Sequence, residues 1–453
     1  MFLRSILSCS LVLGVLATGV PAFADEGATS AELKKMRIRL EALEQKVAEQ
    51  DSYIAKQRTE SAGQKEKIAQ YESQLSRFEE NLHRMPGQPI QLLEGLELGV
   101  GGTVILQGAD NSNYRDGDTE KSSRADASYS ADVTLSKEFE EVGGRAFLHL
   151  EAGQGSGLED NLIVYSNVNR DAGDSEAKAE LTEFWYEQDL FKDKAVVTFG
   201  KLDSSAYFDQ NEAANDETSQ FLGRIFRNSP VIEFPDNGAG VRFAWLPVDW
   251  LELGYGVFDG TGSWEDIGDS LFNIGQVHFK TNLFGLSGNY RFYAWNNNAD
   301  HIKWLDSGKT KESSYGLGLS FDQKLNDAVT LFARYGWQNP EAYNPEITAA
   351  DGSNYSLEQS WSAGFQVEGA SWGREKDVFG FAVGQIMPSD DYKKANNLSA
   401  KTEGHLEAYY NIHINNHLSV SPDVQYIWNP YGKDVAGNTG GIFVGGLRAQ
   451  VDF

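Results

Sequence analysis

The sequence predicts an all-β transmembrane barrel of about sixteen antiparallel strands, preceded by an α-helical coiled-coil segment. Two observations carry this prediction. From Leu96 onward, apolar and polar residues alternate with a period of two in one segment after another, which is typical of strands with one dry face and one wet face. The links between these segments are alternately short and long, as in barrels that have tight turns at one end and long loops at the other.

The chain begins with a predicted secretory signal peptide, residues 1–24. Arg4 precedes an apolar core, and Ala22 and Ala24 frame a small-x-small cleavage site. Cys9, the only cysteine of the chain, is removed with this segment. The mature protein is therefore expected to contain no disulfide and no thiolate chemistry.

The charge and the motifs exclude several classes of function. A formal net charge of -27 argues against nucleic acid as a partner, because phosphate binding needs a basic surface. After the signal peptide, no apolar run reaches the roughly 20 residues of a membrane helix, which excludes a helical membrane protein. Neither H-E-x-x-H nor G-x-S-x-G occurs, and no nucleophile is found with its base. We expect no enzyme activity, no catalytic residues, no metal site and no cofactor.

Residues 31–85 predict a coiled coil. They contain no proline and a single glycine, and apolar residues recur at heptad spacing among Glu, Lys, Arg and Gln. The predicted oligomerisation contacts are Leu33, Leu40, Leu43, Val47, Ile54, Ile68, Leu75 and Leu82. The alternative is a single solvated helix. We expect residues 25–89 to form a periplasmic stalk and linker, followed by the barrel in residues 90–453.

The barrel strands follow from the alternation, and most predicted segments have the length of tilted membrane-spanning strands. Tryptophans near their ends, such as Trp245 and Trp337, suit the interfacial girdles of a membrane barrel. The predicted strands are 96–108, 127–139, 143–153, 179–190, 193–203, 239–247, 250–259, 272–282, 286–296, 312–323, 328–338, 358–369, 376–388, 403–414, 416–428 and 440–453.

The last strand, "GGIFVGGLRAQVDF", is predicted to pair with the first strand near Leu96, so that no strand edge faces lipid. The Gly445–Gly446 pair interrupts the alternation with Ile442 and Val444, and we predict a β-bulge there. The lipid-facing residues of this strand are expected to be Leu447, Ala449, Val451 and Phe453.

A barrel of this size holds an aqueous channel, which is usually narrowed by a segment folded inward. The longest link, 204–238, joins a stretch of carboxylates and amides to a segment with apolar and basic sides. We expect it to pack against the inner wall, although an ordinary external loop is the alternative. The candidate constriction and substrate-path residues are Asp209, Asn211, Asn215, Asp216, Glu217, Arg224 and Arg227 in this link, and Arg242, Arg291, Arg334, Glu407 and Arg448 on strands.

Two blocks of the sequence resemble the carbohydrate-selective porin family, OprB type. They are Phe199–Gly260, which includes "FLGRIFRNSPVIEFPDNGAG", and Glu407–Pro430, "EAYYNIHINNHLSVSPDVQYIWNP". The resemblance extends over Leu96–Phe453. It implies a sixteen-stranded outer-membrane porin that passes glucose and related sugars by diffusion, with some ion conduction. The terminal "VDF" resembles the signal that the barrel-assembly machinery recognises in porins.

Three hypotheses about function remain open from the sequence. The first is passive diffusion of small saccharides, because the lumen side carries charges of both signs. The second is a general or cation-leaning channel, because the chain is acidic. The third is an envelope tether in outer-membrane lipid whose coiled coil contacts the cell wall, that is peptidoglycan, or another envelope protein. The coiled coil also resembles the trimerising stalks of some porins, so we expect a homo-oligomer, with a trimer favoured.

Overall fold

The computed structural model describes residues 95–113, 115–116, 119–120, 123–264, 267–433 and 440–453. The predicted signal peptide and coiled coil, including all eight predicted oligomerisation contacts, lie outside the described residues. None of the helices in the described part of the chain combines the length and the hydropathy that crossing a membrane requires.

The described residues form a closed antiparallel barrel of sixteen strands, as predicted. All sixteen strands coincide with predicted segments to within a few residues, apart from longer outer ends on some of them. The strands are β1 Leu96–Asp110, β2 Ser123–Phe139, β3 Gly144–Gln154, β4 Lys178–Leu190, β5 Ala195–Leu202, β6 Gly238–Val248, β7 Leu251–Asp259, β8 Leu271–Leu283, β9 Leu286–Lys303, β10 Glu312–Lys324, β11 Val329–Gln338, β12 Leu357–Glu368, β13 Val378–Pro388, β14 Glu403–His413, β15 Leu418–Trp428 and β16 Ile442–Asp452.

Each strand pairs with its sequence neighbours, and β1 pairs with β16 to close the ring. The connections alternate between a short-turn end and a long-loop end. Two short helices lie in long loops: α1, Arg224–Arg227, and α2, Asp390–Ala395. A two-residue strand, Ala342–Tyr343, pairs with the outer end of β9. Because every strand has a partner on both sides, the barrel leaves no full-length open edge.

The predicted bulge at Gly445–Gly446 is wrong. The pairing of β16 with β1 runs without a register shift from Gly101 opposite Asp452 to Asp110 opposite Phe443. Ile442 and Val444 belong to the inward face, where both are fully buried against a loop inside the barrel. The alternation of faces is therefore unbroken, and only the expectation that inward residues are polar fails at this end of the strand.

The two faces of the wall differ in chemistry, as alternation predicts. Outward residues are large and apolar, and many are exposed, for example Leu98 at 62% and Leu317 at 51%. Phe453, beyond the end of β16, is also exposed, and its backbone bonds to Val100 at the start of β1. Inward residues are mostly polar or small.

Candidate functional site in the barrel lumen

The longest loop, residues 203–237 between β5 and β6, lies inside the barrel. Its short helix α1 buries Ile225 and Phe226, and Phe221 just before α1 is buried as well. Phe221 packs its ring against Phe332 of β11 at 5.6 Å and against Tyr409 of β14 at 4.9 Å. The apolar side of the segment therefore faces the wall, which leaves its charged side for the lumen.

Arg334 of β11 holds this β5–β6 loop from one side. Its Nε lies 3.3 Å from Asp209 Oδ1, and its Nη2 donates to the Asp209 carbonyl at 3.0 Å and to Asn215 Oδ1 at 3.3 Å. It also donates to the Phe226 carbonyl. The Asp209 carboxylate in turn accepts the Ser229 amide at 2.7 Å. Arg334 and Asp209 are both buried, so their charged groups interact with the loop and are not open to the lumen.

Glu407 and Arg448 hold the same loop from β14 and β16. Glu407 accepts the backbone amides of Leu222 at 2.6 Å and Gly223 at 2.9 Å. Arg448 donates to the carbonyls of Glu217 at 2.6 Å and Gln220 at 2.8 Å. Both side chains are buried. Together with Arg334 they bind loop backbone, and we call these three residues the wall clamp.

Other predicted site residues also lie under the loop or on the wall. Asn211 donates to the Phe321 carbonyl at 2.9 Å, and Asp216 accepts the Thr218 amide at 2.8 Å. Arg291 forms a buried ion pair with Asp322 at 2.6 Å. Arg242 of β6 stands over the Tyr207 ring at 4.8 Å and lies near Glu187 and Glu252, at 3.7 and 3.4 Å.

A second loop, residues 155–177 between β3 and β4, also lies inside the barrel and was not predicted from the sequence. Leu158 and Val168 are fully buried against Ile427, Ile442 and Val444 on the inner wall. Glu403 at the start of β14 anchors this β3–β4 loop. It accepts the amide of Tyr165 at 3.0 Å, that of Ser166 at 2.8 Å, and also that of Tyr431 at 2.7 Å. The apolar run Leu162–Tyr165 inside a long polar link is the sequence feature that could have predicted a buried loop here.

The two loops bound a lower cavity of about 400 Å³. The β5–β6 loop contributes Glu217, Arg224 and Arg227, and Glu217 pairs with Arg227 at 2.8 Å. The β3–β4 loop contributes Arg170 and Asp171. The wall contributes Ser130, Asp132, His149 and Glu151. Of the predicted residues, Glu217, Arg224 and Arg227 thus face open space, whereas the wall clamp, Asp209, Asn211 and Arg291 are buried.

Two guanidinium groups in this cavity are left unpaired. Within the part of the chain that the structure describes, Arg170 and Arg224 form no side-chain hydrogen bond and no ion pair within 4 Å. Arg170 is exposed to the lumen and Arg224 is half-buried. Burial and the neighbouring Arg170 lower the pKa of Arg224 from its ordinary value. Both groups present N–H donors to whatever occupies the cavity.

Asp171 stands beside these arginines in a crowded acidic environment. Burial, with added repulsion from Glu217, Asp132 and Glu151, raises the pKa of Asp171 to about 8. Its carboxyl oxygens lie 3.1 and 3.3 Å from Ser130 Oγ. The carboxyl group is therefore mostly protonated at neutral pH, when it can donate as well as accept a hydrogen bond.

A larger cavity of about 620 Å³ lies toward the long-loop end. Four residues line both this cavity and the lower one, and we call them the threshold: Arg224, Phe234, Pro235 and Asp236. The rest of its lining includes amides and carboxylates, among them Asn297, Asn344, Asp300 and Glu346. No group of three or more potential metal ligands occurs among the described residues.

Comparison with known proteins decides the family. The model of the carbohydrate-selective porin family, OprB, matches residues 122–453, which is most of the chain. The chain belongs to the OprB family of carbohydrate-selective porins. It is thus an outer-membrane channel, and its family is one of passive sugar permeation. Both sequence blocks that resembled this family lie inside the matched range.

Individual relatives of this OprB-family porin are distant. Porin B of Pseudomonas aeruginosa is 24% identical over 328 residues, covering 60% of this chain and 68% of the relative. An uncharacterised protein of Aquifex aeolicus is 24% identical over 234 residues, or 52% of this chain and 60% of its own length. The high-pH structure of Pseudomonas putida OprB superposes with a TM-score of 0.65 at 19% identity, covering 81% of this chain and 96% of that one. That likeness shows the shared fold.

Proposed function

We propose that small neutral saccharides diffuse through this porin from the long-loop cavity into the lower cavity, passing between the β3–β4 and β5–β6 loops. The observation that carries the proposal is the pair of unpaired guanidinium groups, Arg170 and Arg224, which line the lower cavity together with the carboxyl groups of Asp171 and Glu217. Sugar hydroxyls both donate and accept hydrogen bonds. A passage lined by fixed donors and acceptors can therefore replace the hydrogen bonds to water that a sugar loses on entry.

The wall clamp has a different role in this proposal. Arg334, Glu407 and Arg448 position the loop and do not touch the solute, since all three are buried and hydrogen-bonded to the loop. Glu217, Arg224 and Arg227 form the solute path together with Arg170 and Asp171. This division assigns positioning to the buried members of the predicted set and solute contact to its exposed members.

Liposome swelling tests the proposal. Vesicles that contain the full-length porin should swell faster in glucose or maltose than protein-free vesicles. An Arg170→Ala/Arg224→Ala double variant should keep its barrel, judged by heat-modifiable gel mobility, and lose the dependence of rate on sugar stereochemistry. Swelling no faster than in protein-free vesicles would reject sugar diffusion. Unchanged discrimination in the double variant would reject the arginine pair as the contact.

The lower cavity also favours a second function, cation-leaning ion conduction. It is lined by three arginines and by more acidic residues, namely Asp132, Glu151, Asp203, Glu217 and Asp236, with Asp171 adding a charge at high pH. Excess fixed charge of one sign concentrates the opposite ion in a low-dielectric passage. Reversal potentials in a KCl gradient should show cation preference, and a clear anion preference would reject it.

We further propose that the predicted coiled coil, residues 31–85, stands in the periplasm. β1 begins and β16 ends at the short-turn end of the barrel, which is the periplasmic end in barrels of this kind. Deleting residues 31–85 should separate the open hypotheses. Loss of a trimer would support a trimerising stalk, whereas a loosened envelope with an intact oligomer would support contact with peptidoglycan. Recognition of the last strand by the barrel-assembly machinery remains part of this proposal.

A further inference from the structure

We propose that Phe234 is a stacking platform for the saccharide ring at the threshold between the two cavities. This inference rests on the proposed function and adds the residue that selects a sugar ring over other polar solutes of similar size. Phe234 lines both cavities and is half-buried. Arg224, one of the unpaired donors, lines the same two cavities.

The ring of Phe234 is supported from behind. It packs against Phe272 of β8, with ring centroids 5.8 Å apart and planes at 56°. Phe272 is fully buried in the cluster that also holds Phe258 and Trp295. An aromatic ring with one side fixed on a packed core and another side open presents a rigid apolar surface to a ligand.

The backbone on both sides of Phe234 is tied to strands. Glu233 lies 2.8 Å from His301 Nε2 and accepts Asn297 Nδ2 at 3.2 Å, both on β9. On the other side, Asn237 donates to the Thr182 carbonyl of β4 at 3.2 Å. The three residues Phe234–Asp236 therefore form a short bridge with both ends anchored. Such a site is ordered before the ligand arrives and loses little entropy on binding.

The threshold matches the chemistry of a pyranose. Axial C–H groups make one face of a sugar ring apolar, and hydroxyls project from its edge. Phe234 and Pro235 offer an apolar surface, Arg224 offers unpaired N–H donors, and the exposed Asp236 carboxylate offers acceptors. A linear polyol has the hydroxyls without the flat face, and an inorganic ion has neither. The assigned ligand is therefore a neutral cyclic saccharide.

Current recordings on the full-length porin in planar bilayers test the proposal, with glucose as probe and sorbitol as acyclic comparison. The variant Phe234→Tyr keeps an aromatic ring, whereas Phe234→Leu and Phe234→Met keep only apolar volume. Together they distinguish stacking on a ring from contact with any apolar side chain. The leucine and methionine variants should raise the glucose concentration that half-saturates the current noise about threefold to tenfold. Their effect on sorbitol should be small, and the tyrosine variant should resemble wild type. Phe243→Leu, on the outward face of β6, is the matched control.

The outcomes separate the two proposals. If wild-type vesicles do not swell in glucose, sugar diffusion and the platform both fail. If wild-type vesicles swell but Phe234→Leu and Phe234→Met keep the wild-type half-saturation, only the platform fails. Equal weakening for glucose and sorbitol would also overturn it, because that result reports a changed pore width. A wild-type KCl conductance in the leucine and methionine variants verifies that the pore width is kept.

Discussion

At the residue scale, charged residues that look alike in the sequence have different roles in the lumen: some bind the loop and others line the cavity. Arg334 and Arg448 point inward like Arg224, yet they are buried beneath the β5–β6 loop and bound to its carbonyls. Their inward direction followed from alternation. Their contact with loop backbone depends on the position of a loop more than a hundred residues away in the sequence. No local sequence pattern predicts that position.

Glu407 offers a direct test of the wall clamp. Glu407→Gln keeps the size of the side chain but turns one acceptor toward Leu222 and Gly223 into a donor. Leaving one buried amide unsatisfied costs about 1–3 kcal/mol. We expect a more mobile loop, seen as higher open-channel noise in KCl with the barrel intact. Glu138→Gln, at an exposed position near Arg145, is the control. Noise equal to wild type would mean that Glu407 does not hold the loop.

The raised pKa of Asp171 leads us to expect that the preference for cations over anions depends on pH. Its pKa is raised to about 8, so the carboxyl group is mostly neutral at pH 6.5 and mostly charged at pH 9.5, values chosen about 1.5 units either side. The cation preference should therefore increase as the pH rises through this range. Reversal potentials measure the change. Asp171→Asn should remove the step near pH 8, and a step that persists in this variant would assign it to another group.

At the element scale, two loops and the wall are fitted to each other by small residues. Gly384 of β13 faces α1, and a Cβ added there would meet Ile225 at 2.7 Å. A Cβ on Gly336 of β11 would meet Val231 and Ser229 at 2.4 Å. Alternation places these glycines on the inner face, and at Gly336 the docked loop explains why nothing larger fits. At Gly384 the loop acts together with the Trp361 carbonyl of β12, which a Cβ would also meet at 2.7 Å.

Gly384→Val should therefore displace the β5–β6 loop. The added side chain competes for the space of Ile225, and overpacking of this kind costs about 1–3 kcal/mol. We expect an altered single-channel conductance while the barrel keeps its heat-modifiable gel mobility. Gly445→Ala on β16 is the control, because a Cβ there meets only Phe443 at 3.9 Å. Conductance unchanged in Gly384→Val would show that the loop adapts without moving.

At the scale of the whole molecule, the barrel was predictable and the interior was predictable in part. Period-two alternation identified every barrel strand, because lipid and water impose opposite demands on adjacent residues. The β5–β6 loop was expected inside from its two-sided composition. The β3–β4 loop was missed, and the false bulge at Gly445–Gly446 has the same origin, since Ile442 and Val444 are apolar because they meet that loop.

Ring closure can be tested with a cross-link, since Cys9 is the only cysteine of the whole chain. Leu106 of β1 and Leu447 of β16 are directly opposite and both face outward. Directly paired residues have Cα separations of about 4.5–5.5 Å, within disulfide range. Leu106→Cys with Leu447→Cys should form a disulfide, detected by mobility on a non-reducing denaturing gel. Leu106→Cys with Val451→Cys, which is out of register, should not; efficient linking there would contradict the closure.

The inner face of β14 has a consequence for the order in which the protein matures. Glu403 secures Tyr165 across 238 positions of the chain, and Glu407 secures Leu222 across 185. Contacts so distant in sequence form late, after most of the loop-closure entropy has been lost. Both loops are synthesised long before their anchor. A chain that still lacks β14 to β16 therefore cannot anchor either inward loop. We expect the pore to discriminate between solutes only after these last three strands have been added.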